Sequence, residues 1–397
     1  MSEVTALEEL VVGHAAQLRF RDLTAVTVER TKLLILDTVG AAIAAVGADG
    51  VESVERLSRR WGGPPQAGII GYGSRAPGHV AAMVNATLAR ALELDDVHER
   101  GVVHATSTVV PIALAASEMV GGVNGEQFLA AVAMGIDLVC RLSMAPTVSL
   151  GGEEYSPRSM SYTYQLATLV GALVAAKIAG LDRPGLADAL GNGYSQCAGN
   201  LQGLAEGSLM VRVQQGLSAS SAIVAMELAQ AGVGGIKRPL TGVYGWFQAY
   251  YRGAYAASAV TDGLGHRYEV DQVSIKPYAC CKYGHNAIAA AVEIAADPQF
   301  RLEDVERVTG HRVQPGRVGP HLRPARGEGG RASAGRTRRP GAGPIQPALH
   351  GRLRAVASGL DGGGPDAGVP IRPGPGGAAE GPRGASRGRA AHKGGIA

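Results

Sequence analysis

Between Glu93 and Pro111 the sequence sets Glu93, Asp95, Asp96 and Glu99 beside His98 and His104, so four carboxylates and two imidazoles share one short polar hinge. Apolar runs flank it. Acidic residues close the run before the hinge, and His104-Ala105-Thr106-Ser107-Thr108 opens the run after it. A helix beginning there would offer unpaired N–H groups and hydroxyls beside an imidazole, a place for an anion. Imidazole titrates near neutrality, which makes His104 the candidate acid or base. Asp96, with Glu93 and Asp95, can orient that ring or line the pocket; capping and solvation of the hinge is their plainer use. Thr106 and Ser107 supply hydroxyls for the same anion, whereas His98 and Glu99 read as solvated loop residues. Proton-transfer groups beside an anion cradle point to an enzyme acting on a small carboxylate.

The elements that must hold this hinge are helical. Hydrophobic residues make up 46% of the 397 residues and aromatics only 5%, a balance that suits close-packed helices better than a β-sandwich. Apolar spacing predicts helices over 23–46, 51–61, 111–120, 125–144, 164–179, 183–198 and 216–231, with a short extended piece at 67–72 and loops at 232–235 and 239–245. From about Tyr268 the period changes. Val273-Ser274-Ile275-Lys276 reads as a strand, 286–296 as a helix and 305–313 as a strand, the opening of an α+β domain. The chain thus divides into an all-helical domain over 1–262, the start of an α+β domain over 263–313, and a low-complexity tail over 314–397.

That tail has its own chemistry. Residues 315–397 contain no Phe, Tyr, Trp, Met or Cys, hold 22 of the 58 glycines and 11 of the 21 prolines, and carry a net charge of +10. Such a segment buries too little apolar surface to fold by itself. One reading is a natural disordered basic arm; the other, which we prefer, is a GC-rich coding sequence read out of frame. Without the tail the body carries −6 of charge, so no nucleic-acid partner is expected from it.

Cys140, Cys197, Cys280 and Cys281 show neither disulfide nor metal spacing, and the adjacent pair reads as packing residues, so no metal is expected. Gly151-Gly152 and the glycines of 232–235 lack the strand-to-helix context of a phosphate loop. The first twenty residues have no basic start followed by an apolar core, and the longest apolar run, 166–181, falls short of a membrane span. A cytoplasmic protein without a membrane partner is the expectation.

Several segments, in one order from residue 10 to about 313, resemble the MmgE/PrpD family. Lys32 to Gly40 matches its early Leu-Asp-Thr-hydrophobic-Gly segment, and Glu93-Leu94-Asp95-Asp96 its Asp-Phe-Asp-Asp. His104, Ser107 and Pro111 match its His-Pro-Ser-Ser…Pro helix start, and Gly135 to Leu142 its Gly-x-Glu-Val-x-x-Arg-Leu helix. Gly245 to Tyr250 resembles its aromatic turn, and Lys276-Pro277-Tyr278-Ala279-Cys280-Cys281 with His285 its Lys-Pro-Tyr-Pro-Cys-x…His segment. The chain departs at Val97, at Ser161-Tyr162-Thr163, where a histidine of the family pattern is replaced, and over 209–214, where Arg212 persists but a lysine and a second histidine do not.

The resemblance implies a large all-helical domain followed by an α+β domain, here incomplete, and a homodimer. It also implies a lyase without a cofactor, most simply a dehydratase of a 2-methylcitrate-like di- or tricarboxylate in propionate metabolism. A decarboxylase or an epimerase on a related acid, or a catalytically impaired member, are the alternatives. Lys276 and His285 then join His104 and Asp96 as catalytic candidates. Arg212 and Tyr278 join Glu93, Asp95, Thr106 and Ser107 as substrate-binding candidates, with Arg212 a bidentate carboxylate clamp.

Overall fold

The computed structural model describes residues 7–147, 149–150, 153–154, 160–305, 307–308 and 369–370. In chain order the helices and strands up to the hinge are α1 (Leu7–Gln17), α2 (Ala25–Ala44), α3 (Val51–Trp61), β1 (Ala67–Gly68), β2 (Arg75–Ala76), α4 (Gly78–Ala91) and β3 (Val97–His98). Next come α5 (Thr106–Met119), α6 (Gly125–Met144), β4 (Ser149–Leu150), β5 (Glu153–Glu154), α7 (Tyr162–Ile178), α8 (Arg183–Tyr194) and α9 (Gln202–Glu206). The series continues with α10 (Met210–Gln230), α11 (Trp246–Tyr251), α12 (Ser258–Thr261), β6 (Val273–Ser274), α13 (His285–Ala295), β7 (Arg307–Val308) and β8 (Val369–Pro370). The protein is mainly α, as its composition implies.

Described residues up to His285 form one compact unit. Its centre is a layer of α4, α5, α6, α7 and α10, which touch one another extensively. Small residues make this close contact possible. A Cβ on Gly216 of α10 would lie 2.4 Å from the Met83 carbonyl of α4, so glycine is required where these two helices cross. Leu88, Leu138, Leu169 and Leu173 are fully buried in this layer, each contributing about 2 kcal/mol by leaving water. Helix α6 is the one described helix long and apolar enough to cross a membrane by length and composition. Its residues from Ala130 to Ser143 are buried in this core, with the Asp137–Arg141 ion pair in their midst.

Helix α5 begins at Thr106, within the His104–Thr108 stretch expected to open it and ahead of the apolar run at 111–120. The reason is a cap supplied from across the hinge. Asp96 accepts from the Ala105 and Thr106 amides at 3.3 and 3.0 Å and from the Thr106 hydroxyl at 2.5 Å, satisfying donors that a helix start leaves open. Helix α10 starts earlier than expected, at Met210, and α8 ends earlier, at Tyr194.

The first unit continues past residue 262. β6 pairs antiparallel with β3, Val97 opposite Ser274 and His98 opposite Val273, and Tyr268, Val270 and Val273 are buried in the core. Only Val273–Ser274 of the strand expected over 273–276 is extended pairing; Lys276 follows just beyond it. A second compact unit begins at Asn286. Its described parts are the remainder of α13, a single 3-10 turn over Leu302–Asp304, and β7 paired antiparallel with β8. The tail expected over 314–397 lies outside the described residues, Val369–Pro370 excepted.

Candidate active site

The chain from α4 to α5 makes a tight excursion. Glu93 takes φ 56 and Val102 φ 50, left-handed conformations that non-glycine residues adopt only when their surroundings hold them. Gly101 is forced by space: a Cβ there would lie 2.0 Å from the Ser143 Oγ. The result folds Asp95, Asp96 and His98 inward, each at most 1% exposed.

Asp95 is the centre of the cluster. Its Oδ1 accepts from Arg90 Nη1 at 2.9 Å and from Lys276 Nζ at 3.4 Å, while its Oδ2 lies 3.4 Å from the Ser107 hydroxyl and 3.5 Å from His104 Nδ1. Burial alone would raise the Asp95 pKa. The charges of Arg90 and Lys276 and the hydrogen bond from Lys276 outweigh it and hold the carboxyl below its usual range. Lys276 Nζ also donates to the Glu93 carbonyl at 3.1 Å and stands 3.9 Å from the Glu93 carboxylate, with no exposed side-chain surface. Arg90 Nη1 reaches that same carboxylate at 2.8 Å.

His104 sits at the rim. Its Nδ1 is 2.5 Å from the Asp96 carbonyl, an oxygen that can only accept, so Nδ1 carries the proton and Nε2 presents its lone pair. Among the described residues nothing hydrogen-bonds Nε2. Burial pushes the His104 pKa down, and the Arg90 and Lys276 charges add to that against the pull of Asp95 and the Asp96 carbonyl. A neutral imidazole with a fixed tautomer and an open nitrogen is equipped to take a proton.

Asp96 divides the two uses expected of the hinge carboxylates between its backbone and its side chain. Its backbone carbonyl, not its carboxylate, orients His104, and the carboxylate caps α5. Consequently the Ala105 and Thr106 amides expected to cradle a substrate anion already hold an internal one. Burial raises the Asp96 carboxyl to about 6, against hydrogen bonds from Thr106 and with help from the Asp95 charge.

The reading of His98 as solvated is corrected. Its ring is buried, with Nδ1 accepting from the Gly101 amide at 3.0 Å and Nε2 donating to Glu269 at 3.2 Å. Glu269 is 171 positions away in sequence, so no local pattern could reveal the pair. Its amide donates to Asp137 at 2.6 Å, and Asp137 holds Arg141 Nε at 2.7 Å. Arg141 in turn donates to the carbonyls of Val260, Asp262, Gly263 and Arg267. This buried network fastens the segment 260–272 under α6 and so aims β6, with Lys276 after it, at the hinge. Glu99 is exposed and pairs with Lys282 at 3.0 Å.

The remaining candidates divide. His285 is 4% exposed; its Nε2 lies 3.3 Å from the Cys280 carbonyl, its Nδ1 is buried without a partner, and the Tyr278 ring stands edge-on to it at 5.3 Å. Burial lowers its pKa, so it too is neutral at pH 7. No hydrogen bond or ion pair joins His285 or Tyr278 to Asp95 or Lys276. Arg212 donates to the Asp49 carbonyl at 2.8 Å and makes no contact of that kind with the hinge carboxylates.

Three residues escaped the sequence reading. Arg90 closes α4, and its i, i+3 spacing to Glu93 was the available signal. Tyr164 lies beside Arg90, donates to the Val211 carbonyl at 2.8 Å and has its pKa raised by burial. Asp37 on α2 feels both Asp95 and Lys276, its carboxyl raised chiefly by burial, with Oδ2 buried and unpartnered. A separate cavity of about 490 Å³ is lined by residues of α7, α9 and α10, such as Gln214, and of the loop between α8 and α9, such as Gln196 and Asn200. Its one ionisable lining group is Glu206 and no hinge residue reaches it, so shape alone would have drawn attention away from the chemistry.

Residues 11–258 match the MmgE/PrpD N-terminal domain. The chain belongs to the MmgE/PrpD family. It is 29% identical over 286 residues to a cis-aconitate decarboxylase of Aspergillus terreus, covering 70% of this chain and 57% of that protein. It is 24% identical over 310 residues to the cis-aconitate decarboxylase-like protein oryM of Aspergillus oryzae, covering 74% and 63%. The matched stretches thus span about three-fifths of the length of these relatives. The match takes in the hinge, Arg90, Tyr164 and the Asp137–Arg141 pair; Lys276 and His285 fall beyond its end at 258.

Proposed function

We propose that this protein is a lyase that acts on a small di- or tricarboxylate by moving a proton at a carbon next to a carboxylate, without a cofactor. The observation that carries the reading is His104: a fixed tautomer, an open Nε2 at the rim, and behind it a buried Asp95 flanked by Arg90 and Lys276. Arg90 and Lys276 are the cations a substrate carboxylate would meet, and Tyr164 and His285 are the neighbouring neutral proton carriers. A cis-aconitate-like acid is the first substrate to test, because the similar proteins are named for it. Loss of carbon dioxide from such an acid shifts its double bond and requires a proton at the far alkene carbon, which His104 would deliver from Nε2 after taking one up there from solvent.

A second reading is dehydration of a 2-methylcitrate-like acid. It is favoured by the neutral state of His104, which suits proton abstraction better than delivery. In that case His104 takes the proton, and a second group must protonate the departing hydroxyl. Incubation with cis-aconitate, citrate and 2-methylcitrate, following both carbon dioxide and unsaturated product, separates the two. Absence of turnover on all three, together with no thermal protection by any, contradicts the lyase reading and favours an impaired family member. A homodimeric, cytoplasmic enzyme whose α+β second domain begins within 263–313 completes the proposal, and light scattering checks the dimer.

A further inference from the structure

We infer that Glu93 is an internal stand-in for a substrate carboxylate, occupying the Arg90–Lys276 cation pair at rest and leaving it when a ligand carboxylate binds. The inference rests on the lyase reading above. Two cations and two carboxylates meet at this point, and the carboxylates are not equivalent. Asp95 is 1% exposed and engaged on both oxygens by Arg90, Lys276, Ser107 and His104. The Glu93 side chain is 31% exposed and is held through Oε2 alone, at 2.8 Å from Arg90 Nη1 and 3.9 Å from Lys276 Nζ.

Glu93 also fits its place poorly. Its backbone stands at φ 56, a left-handed conformation unfavourable for a residue with a side chain. It satisfies Arg90 through one terminal nitrogen, whereas Arg90 Nε is buried with no partner at all. A guanidinium is built to grip a carboxylate through two parallel N–H bonds. The tether to the main chain holds Glu93 to Nη1 alone; a free carboxylate has no tether and can replace it there while spanning both terminal nitrogens.

Charge balance gives the exchange its logic. With Glu93 in place, Arg90 and Lys276 are neutralised by Asp95 and Glu93, so an arriving anion gains little. Once Glu93 turns out to solvent, one positive charge is uncovered for one ligand carboxylate. Glu93 therefore sets the affinity threshold, and ligands that cannot bridge Arg90 do not pass it.

The test is Glu93→Gln, which keeps shape and the Glu93 carbonyl that Lys276 uses but removes the competing charge. Isothermal titration calorimetry of the full chain with tricarballylate, a saturated tricarboxylate, is expected to show binding about tenfold tighter in the variant. Glu93→Asp, shorter but still charged, is expected to fall between the two and guards against a folding defect in the first variant. Unchanged or weaker binding in both variants overturns the stand-in role while leaving the lyase reading intact. Failure of the wild type and both variants to bind tricarballylate, citrate or cis-aconitate overturns both.

Discussion

Lys276→Met removes one charge from the centre of the cluster while nearly preserving volume. In the native protein Nζ is fully buried, 3.4 Å from Asp95 and 3.9 Å from Glu93. With an effective dielectric near 20 each attraction is about 4–5 kcal/mol, and several kcal/mol of ammonium desolvation offset their sum. Removing one partner of a buried pair costs about 3–5 kcal/mol, and the low end applies here because Arg90 still holds Asp95. A loss of about 3 kcal/mol corresponds to a fall in Tm of roughly 5–10 °C. The effect has a pH signature. The Asp95 carboxyl is held below its usual range, so its pairing stabilises the protein above the ordinary carboxylate pKa, and this is lost as pH falls through the folded value. Lys276→Met raises that folded value, so acid unfolding of the variant starts at higher pH. Differential scanning calorimetry of both proteins between pH 3 and 8 measures this. A variant within about 1 °C of wild type at pH 7, with the same acid limb, would refute the ion-pair account of Lys276.

Two further outcomes follow from the hinge. The lowered pKa of His104 places its limb in a pH–rate profile below the ordinary histidine value of about 6.5; activity that rises with pH through this limb marks abstraction, activity that falls marks delivery, and His104→Gln abolishes the limb. The Asp96 carboxyl is raised to about 6 in the folded state, so the ionised form is disfavoured there, and up to about 3 kcal/mol of stability is lost as pH rises from about 4 to 6. Asp96→Asn removes that share of the slope in chemical denaturation across this range, leaving the parallel contribution of Asp137, also raised to about 6.

The helical body was legible because periodicity and small-residue content report directly on close-packed helices: α3 and α6 run over the bounds that spacing predicts. The hinge was legible for a similar reason, since ionisable residues concentrated between apolar runs are visible without a fold. What stayed hidden depends on partners far away in sequence. His98 looked solvated because Glu269 is supplied by a different part of the chain. Arg90 passed without notice because its role appears only when folding buries it between Glu93 and Asp95. For Asp96 the sequence left two tasks open, orienting the ring and capping the hinge, and could not say which group of the residue would do either. A carboxylate near a histidine suggests orientation of the ring, yet the stronger demand came from the open amides at the start of α5.

The most direct test of the proton-transfer site is the reaction run in deuterium oxide with cis-aconitate and 2-methylcitrate, with wild type and His104→Ala compared by NMR. The account predicts solvent deuterium at the carbon next to a carboxylate, in product or recovered substrate, with wild type and none above background with the variant. Equal incorporation by both proteins would contradict it.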